Sequence, residues 1–522
     1  MTGPGAHLLV LPIVLPLAAG AALLVVERRW PRVQGALGLA ATVALGLVAL
    51  ALLRRADAGE IGVYLLGNWP APFGIVLALD RLSALLVALT ALLALPVVVF
   101  AEAGWAGRAP HFHAFFQFQL AGLGGAFLTA DLFNLFVFFE LLLIASYALL
   151  LHAGEGRALR SGYHYVVINL AGSSLFLIAA SLFYGLLGTL NFADLAQKIA
   201  VAPAENHALL RTAGMLLLAV FAIKAAVLPL GFWLPETYRA APAPVAALFA
   251  LMTKVGVYAI LRTTTLLFGE GAGALAQLGS EALFVLGIGT IAVGTLGALA
   301  AVRLKGLVAF LVVVSAGVLV AAVAIPGGAA LPGAIYYLVH STLAAALLFL
   351  LTEPIARERG AAGDRLHSGA PVRRWTFLGL VFVFAAMAIA GLPPLSGFVG
   401  KLGILAPTAA LPQSVALWSA VLAAGLLATV ALARAGSRVF WKSRSRPEGE
   451  AGLVPAGAAP AESVAIVGVV IVLLLLAVFA APAQRYAAAA AAQLHAPAGY
   501  VTAVLLAKPV APPAAAQREP AR

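Results

Sequence analysis

The stretch AVFAIKAAVLPLGFWLPETY, residues 219–238, sets a lysine, Lys224, inside an apolar run and follows it with Pro229 and Pro235. A run of this kind reads as a membrane-crossing helix, which needs about 20 residues. Proline removes a backbone donor and clashes with the preceding turn, so the helix is expected to open beside the lysine. In hydrocarbon the freed backbone groups and the cation both need partners, which neighbouring helices or a wet cavity can supply. The stretch therefore predicts a multi-span membrane protein with a polar interior at this break.

The whole chain supports that reading. Of its 522 residues 63% are hydrophobic and 10% charged, with a mean hydropathy of +1.05, more than a soluble core requires. The number of apolar runs excludes a lone span or a signal peptide. The first run, 8–26, has no basic residue before it and no small-residue cleavage pattern after it, and is read as a retained span. There is no cysteine, which rules out disulfides, thiolate metal sites and cysteine nucleophiles. No metal-ligand cluster stands out, and no metal or cofactor is expected.

The fold expected is an all-α bundle of about fourteen spans: 7–26, 33–53, 77–100, 112–130, 132–152, 163–187, 208–231, 242–265, 279–300, 305–325, 331–352, 374–408, 414–436 and 463–482. The net charge of +12 lies mostly between runs. Connections after odd-numbered spans hold eighteen basic residues. Those after even-numbered spans hold six: Arg54, Arg55, Arg81, Lys198, Arg211 and Arg262. The positive-inside rule then puts the odd connections in the cytoplasm of a bacterial inner membrane and both termini outside. The tail 483–522, with an alanine run at 487–492 and Pro- and Ala-rich residues 507–522, is expected to be weakly ordered, disordered or weakly helical.

Five residues, Glu140, Lys224, Lys254, His340 and Lys401, place a charge or an imidazole inside apolar segments, away from the connections and span ends that hold the others. Each charge at a bilayer centre costs about 2.5–3.5 kcal/mol, and such residues usually face a bundle interior and mark an ion path. Plainer readings exist for each: a helix-locking pair for Glu140 and Lys224, snorkelling for Lys254, packing for His340, and a turn near the surface for Lys401. Lys401 follows Pro393 and Pro394, as Lys224 precedes Pro229. The seventh and twelfth spans are thus both interrupted, which points to two inverted five-helix units, spans 4–8 and 9–13. The division expected is 1–104 for spans 1–3, 105–265 for the first unit, 279–441 for the second, 463–482 for the last span and 483–522 for the tail. Tyr147, Tyr258, Tyr336 and Tyr337 lie at helical spacing from the ionisable groups and offer hydroxyls to a water-linked proton path.

DLFNLFVFFELLLIASYALL, KAAVLPLGFWLPETY, ALMTKVGVYAILR, YYLVHSTLAAALLFLL and GLPPLSGFVGKLGIL resemble, in this order, the antiporter-like membrane proteins. These comprise the large subunits of Mrp-type multisubunit sodium/proton antiporters and the proton-pumping membrane subunits of respiratory complex I, and the D-type large subunit of the Mrp antiporters is the best fit. The resemblance implies fourteen spans with an inverted repeat, partner subunits in a hetero-oligomer, and a transporter subunit instead of an enzyme. It implies that Glu140 pairs with Lys224, that Lys254 links two half-channels, and that His340 and Lys401 serve the second. Three positions depart from the pattern: Ala344 where complex I relatives often carry lysine, Gly231 where many relatives carry histidine or tyrosine, and a tenth span, 304–319, without the usual tyrosine–serine character. The rival readings are a membrane subunit of a complex I-like or hydrogenase redox complex, and a scaffold whose buried charges only lock helices.

Overall fold

A computed structural model describes residues 7–30, 33–108, 110–152, 156–442 and 459–510. Arg32, Arg444, Arg446, the Arg157 side chain and residues 511–522 of the expected tail lie outside that description. The first three long helices are α1 (Leu11–Arg29), α2 (Gln34–Asp57) and α3 (Arg81–Ala101). A small antiparallel hairpin, β1 (Gly62–Leu65) and β2 (Val76–Leu79), joins α2 to α3, with Gly62 opposite Leu79. Asp80 starts α3 with a capping box: its Oδ1 accepts from the Ser83 amide at 2.8 Å while its own amide donates to Ser83 Oγ at 2.9 Å.

The next helices are α4 (Phe112–Leu128), α5 (Leu132–Leu151), α6 (Gly156–Leu187), the short α7 (Phe192–Ala200), α8 (His207–Ala225), α9 (Trp233–Ala240), α10 (Ala243–Phe249) and α11 (Met252–Arg262). Then follow α12 (Ser280–Ala300), α13 (Leu304–Val323), α14 (Leu331–Glu358), α15 (Trp375–Ala390), α16 (Ser396–Leu405) and α17 (Ser414–Gly436). The chain closes with α18 (Pro460–Val478), α19 (Ala480–His495) and α20 (Ala498–Leu505).

Among the described residues twelve helical segments are long and apolar enough to cross a membrane, so the chain is a multi-pass membrane protein. The two other expected spans, 112–130 and 374–408, fall on the 17-residue α4 and on the broken pair α15 and α16. Burial is graded from the centre outwards. The Ala243–Leu267 segment is buried throughout, and Leu304–Val323 and Leu331–Glu358 nearly so, whereas α1, α2 and α18 are mostly open on one side. A helix that is apolar all round belongs at the centre of a bundle, and the three central segments carry Lys254, Ser315 and His340.

Glycines set the closest approaches. A Cβ on Gly122 of α4 would lie 2.7 Å from Leu142 Cβ of α5, and one on Gly287 of α12 would lie 2.7 Å from the Ala321 amide of α13. Small residues are what allow helix backbones to meet without a hydrophobic driving force between them.

Both expected breaks are present, and they are built alike. α8 ends with the Val227 amide on Ala222 O (2.9 Å) and the Ala226 amide on Ile223 O (3.1 Å). α15 ends with the Leu392 amide on Met387 O (3.1 Å) and the Gly391 amide on Ala388 O (3.3 Å). This is the Schellman termination, with a left-handed residue at Ala226 (φ 57°) and Gly391 (φ 83°). Three residues later comes a proline in each, Pro229 and Pro394. Pro235, by contrast, lies inside α9.

Residues 483–495 and 498–505 are firmly helical where a disordered or weakly helical tail was expected. α19 contains the alanine run 487–492, alanine being the best helix former. The run is tied down: Tyr486 Oη donates to Arg81 O at 2.9 Å, and the Arg81 amide donates to Gln493 Oε1 at 2.9 Å.

Candidate functional site

Lys224 occupies the last turn of α8, where the unpaired carbonyl ends of the helix favour a cation. Its ammonium is buried and donates to Asn169 Oδ1 of α6 at 3.2 Å. The Asn169 amide nitrogen donates to Tyr165 O at 2.9 Å, which leaves its oxygen to face the lysine. One turn further along α6, Ser173 Oγ donates to Glu140 Oε1. Among the described residues no ion pair joins Glu140 to Lys224, which corrects the direct pairing expected of them. Instead α6 lends one polar group to each, Asn169 to Lys224 and Ser173 to Glu140, at i and i+4, while the Lys224 ammonium lies 5.8 Å from the ring of Phe139 next to Glu140 on α5. The break itself is satisfied by its neighbours: Trp233 Nε1 donates to Ile223 O at 3.0 Å, and the Leu228 amide donates to Thr290 Oγ1 of α12 at 2.9 Å.

Lys254 stands in the wholly buried α11 and donates to Ser315 Oγ of α13 at 2.7 Å. Ser315 sends its own proton to Val312 O at 2.8 Å, so its lone pairs are free for the ammonium. The tenth span thus does place a hydroxyl on the site. α10 and α11 are separated by a turn at Ala250 and Leu251, where both residues keep right-handed helical dihedrals but the Leu251 amide bonds Leu248 O at 3.0 Å, a third irregularity that no proline or glycine signals. α11 and α8 touch backbone to backbone: a Cβ on Gly256 would lie 2.4 Å from the Ala225 amide nitrogen. Lys224 and Lys254 therefore sit on helices in direct contact. Gly256→Ala is expected to push these helices apart and to cost about 1–3 kcal/mol as an overpacked core does; a melting temperature of the assembled protein equal to wild type would contradict this.

In the second unit, His340 of α14 is buried, and its Nδ1 is 2.9 Å from Ser396 Oγ at the start of α16. The Tyr337 ring lies 5.8 Å from the imidazole. Lys401 of α16 reaches back across the break, donating to Ile389 O at 3.0 Å and Ala390 O at 2.8 Å. These are carbonyls that the end of α15 leaves without helical partners. Counted from the left-handed residue, Ile389 holds the position in α15 that Lys224 holds in α8, two residues before it. The two lysines thus bring an ammonium to the same turn, one from before the break and one from after it. Beside Lys401 and Tyr337 is a cavity of about 20 Å³, enough for about one water.

The tyrosines divide. Tyr337 joins His340 and Lys401. Tyr258 Oη donates to Phe127 O at 2.9 Å, and Tyr336 Oη donates to Leu476 O at 2.8 Å, so both hydroxyls are spent on neighbouring helices. Tyr147 packs edge-on against Tyr165, with ring centroids 5.1 Å apart. Asn169, Ser173, Ser315 and Ser396 are the partners that the sequence reading missed. Asn169 and Ser173 had a signal, as two polar residues one turn apart in an apolar span.

Two turns beyond Lys254, Arg262 donates to Asp80 Oδ2 at 2.6 Å, both side chains being buried. The rings of Tyr258 and Tyr500 lie 5.4 and 5.2 Å from the guanidinium. Burial pushes the Asp80 carboxyl up, but Arg262 and Ser83 outweigh it and hold it below its ordinary value.

The five ionisable residues all lie within 129–428, the part of the chain that matches the family described as NADH:quinone oxidoreductase/Mrp antiporter, TM. The D subunit of a probable K(+)/H(+) antiporter of Rhizobium meliloti is 45% identical over 470 residues, 84% of this chain and 87% of that one. The D subunit of the Na(+)/H(+) antiporter of Bacillus subtilis is 40% identical over 403 residues, 76% of this chain and 80% of that one. A chain in the solved Mrp complex from Dietzia sp. DQ12-45-1b superposes with a TM-score of 0.86 at 28% identity, covering 96% of this chain and all of that one. With more than half the chain matched by the family and most of an antiporter D subunit matched at 45% identity, this chain belongs to the NADH:quinone oxidoreductase/Mrp antiporter family, among its D-type antiporter members.

Proposed function

We propose that the chain is the proton-translocating D subunit of a multisubunit monovalent cation/proton antiporter in a bacterial inner membrane. Protons pass among Glu140, Lys224 and Lys254 in one half and His340 and Lys401 in the other, across water and the intervening Asn169, Ser173, Ser315 and Ser396. The helices α4 and α15–α16 complete fourteen spans. The two units, α4 to α11 and α12 to α17, are inverted repeats, and both termini face outwards.

The observation that carries this reading is the pair of matching helix breaks, each with a lysine ammonium at the same turn and a second ionisable group nearby on a fully wrapped helix. Side chains that only locked helices would be expected in direct charge pairs. Here each ionisable group instead meets a neutral oxygen or hydroxyl from another element, a contact easily exchanged for water. Coupling between the sites is electrostatic: unit charges 4 Å apart interact by about 4 kcal/mol at an effective dielectric constant of 20. A charge crossing the membrane gains about 2.3 kcal/mol per 100 mV.

Glu140 also supports a hetero-oligomer. It is only half-buried and lies on the α5 stripe of Phe133, Val137 and Ile144, all exposed. A carboxylate on a lipid-facing stripe costs a few kcal/mol, which a covering partner removes. The relatives are D subunits of antiporters whose names give Na(+) or K(+) as the cation, and a monovalent cation is the exchange partner assigned here.

The test is Lys401→Ala in the complete assembly, in everted vesicles. Cation-driven proton movement is expected to fall at least ~tenfold at normal expression, because truncation removes the ammonium that Lys401 brings to the second break. Wild-type flux would overturn the role of the second half.

A further inference from the structure

At the end of the bundle where the odd-numbered connections meet, a cavity of about 820 Å³ opens between the two units. It lies within the size range of small-molecule sites, on the order of 300–1,000 Å³. Six cations line it, Arg108, Arg239, Arg303, Lys305, Arg357 and Arg365, with two carboxylates, Glu353 and Asp364. None of these has a part in the proton path.

The cations are unequally matched. Arg108 is 3.9 Å from Glu353, and Arg303 donates to Asp364 at 2.7 Å. Arg239 pairs with the exposed Glu236, and Arg357 forks onto the buried Glu462, two acids outside the lining. Six cations less four carboxylates leave two positive charges. The two cations without a carboxylate are Lys305 and Arg365. Among the described residues, Lys305 Nζ reaches only Ala241 O at 3.3 Å and the exposed Arg365 side chain has no partner.

A topological role alone would leave these cations scattered in water. The backbone instead holds two of them together. Arg303 and Arg365 face one another in an antiparallel bridge, closed by the Leu304 amide on Asp364 O at 2.8 Å and the Leu366 amide on Val302 O at 2.9 Å. Like charges directly opposite across such a bridge repel. The loop that carries Arg365 is fixed from beneath by the buried guanidinium of Arg359, which donates to Gly363 O, Arg365 O and His367 O. A rigid rim, two apposed arginines and a residual charge of two make a cradle for a dianion with several acceptor oxygens.

We propose that this cavity binds a phosphate-bearing anion, held by Arg365, Lys305 and Arg303. Arginine suits the oxygen geometry of phosphate, and lysine adds a point charge. The same chemistry is presented by an anionic phospholipid headgroup and by a free phosphate compound. The site stands whether or not the buried lysines carry protons.

The experiment uses the purified, delipidated antiporter complex in neutral detergent. One arm titrates inorganic pyrophosphate, and the other titrates phosphatidic acid in mixed micelles against phosphatidylcholine. The readout is the melting temperature as a function of probe concentration. A saturable rise is expected with at least one probe, and its midpoint should shift at least tenfold upward in Arg365→Ala and in Lys305→Ala, while Arg365→Lys keeps most of the effect. Arg28→Ala, at another odd connection, should match wild type. A response to pyrophosphate identifies a soluble ligand, and a response to phosphatidic acid alone identifies a lipid. No rise with either probe, or the same midpoint in Arg365→Ala as in wild type, overturns the proposal. Arg365 is exposed and its side chain is unbonded among the described residues, so its replacement leaves the fold intact and the comparison remains readable.

Discussion

Lys224→Ala is expected to abolish cation-driven proton movement in the assembled complex, a loss of well over tenfold, and Lys224→Arg is expected to do the same. The second substitution separates proton exchange from helix locking. Arginine keeps the positive charge and adds donors, but it stays protonated under all conditions in a protein. If Lys224 only held Asn169 and the end of α8, arginine would retain much of the function, with some loss to its larger volume. If Lys224 gives up and regains a proton, arginine fails as completely as alanine. Asn169→Ala should be milder, because water can replace one neutral acceptor. Proton uptake driven by sodium or potassium in everted vesicles, with expression controlled, measures all three. A Lys224→Arg protein with near-normal flux would refute proton exchange at this residue.

The broken helices were legible because their causes are local. Pro229 and Pro393–Pro394 forbid continuation, and each lysine in an apolar run had to find the interior. The turn at Ala250 and Leu251 was not legible, because no residue there resists helix and both keep helical dihedrals. The separation of Glu140 from Lys224 was hidden too. Periodicity places each residue on a face of its own helix, but it does not say that α6 offers a separate polar side chain to each of them. The partner hydroxyls suffered most: a serine such as Ser315 in an apolar helix commonly bonds its own backbone, and only the tertiary structure shows that it also accepts from Lys254. The order of 483–505 was underestimated, since an alanine run in a tail promises no more than weak helix until Tyr486 and Gln493 are seen bonded to Arg81.

Asp80→Asn is expected to destabilise the protein by about 3–5 kcal/mol, the penalty of leaving one partner of a buried ion pair uncompensated. Asparagine caps a helix as well as aspartate does, so the start of α3 should survive and the loss should report the charge alone. Arg262 would then be a buried guanidinium facing the rings of Tyr258 and Tyr500 without a carboxylate among the described residues. The double variant Asp80→Asn/Arg262→Met should recover most of the stability, because an apolar replacement of the whole pair is often neutral. The sign of the pH dependence follows from the lowered pKa of Asp80. The folded state binds this proton less tightly than the unfolded chain does. Its contribution is therefore complete above about pH 4, the unfolded value, and is lost as the pH falls through the folded value. At pH 7 the wild type should melt well above Asp80→Asn, and the gap should narrow only in strong acid. If Asp80→Asn melts with the wild type at pH 7, the Asp80–Arg262 pair does not hold α3 to α11.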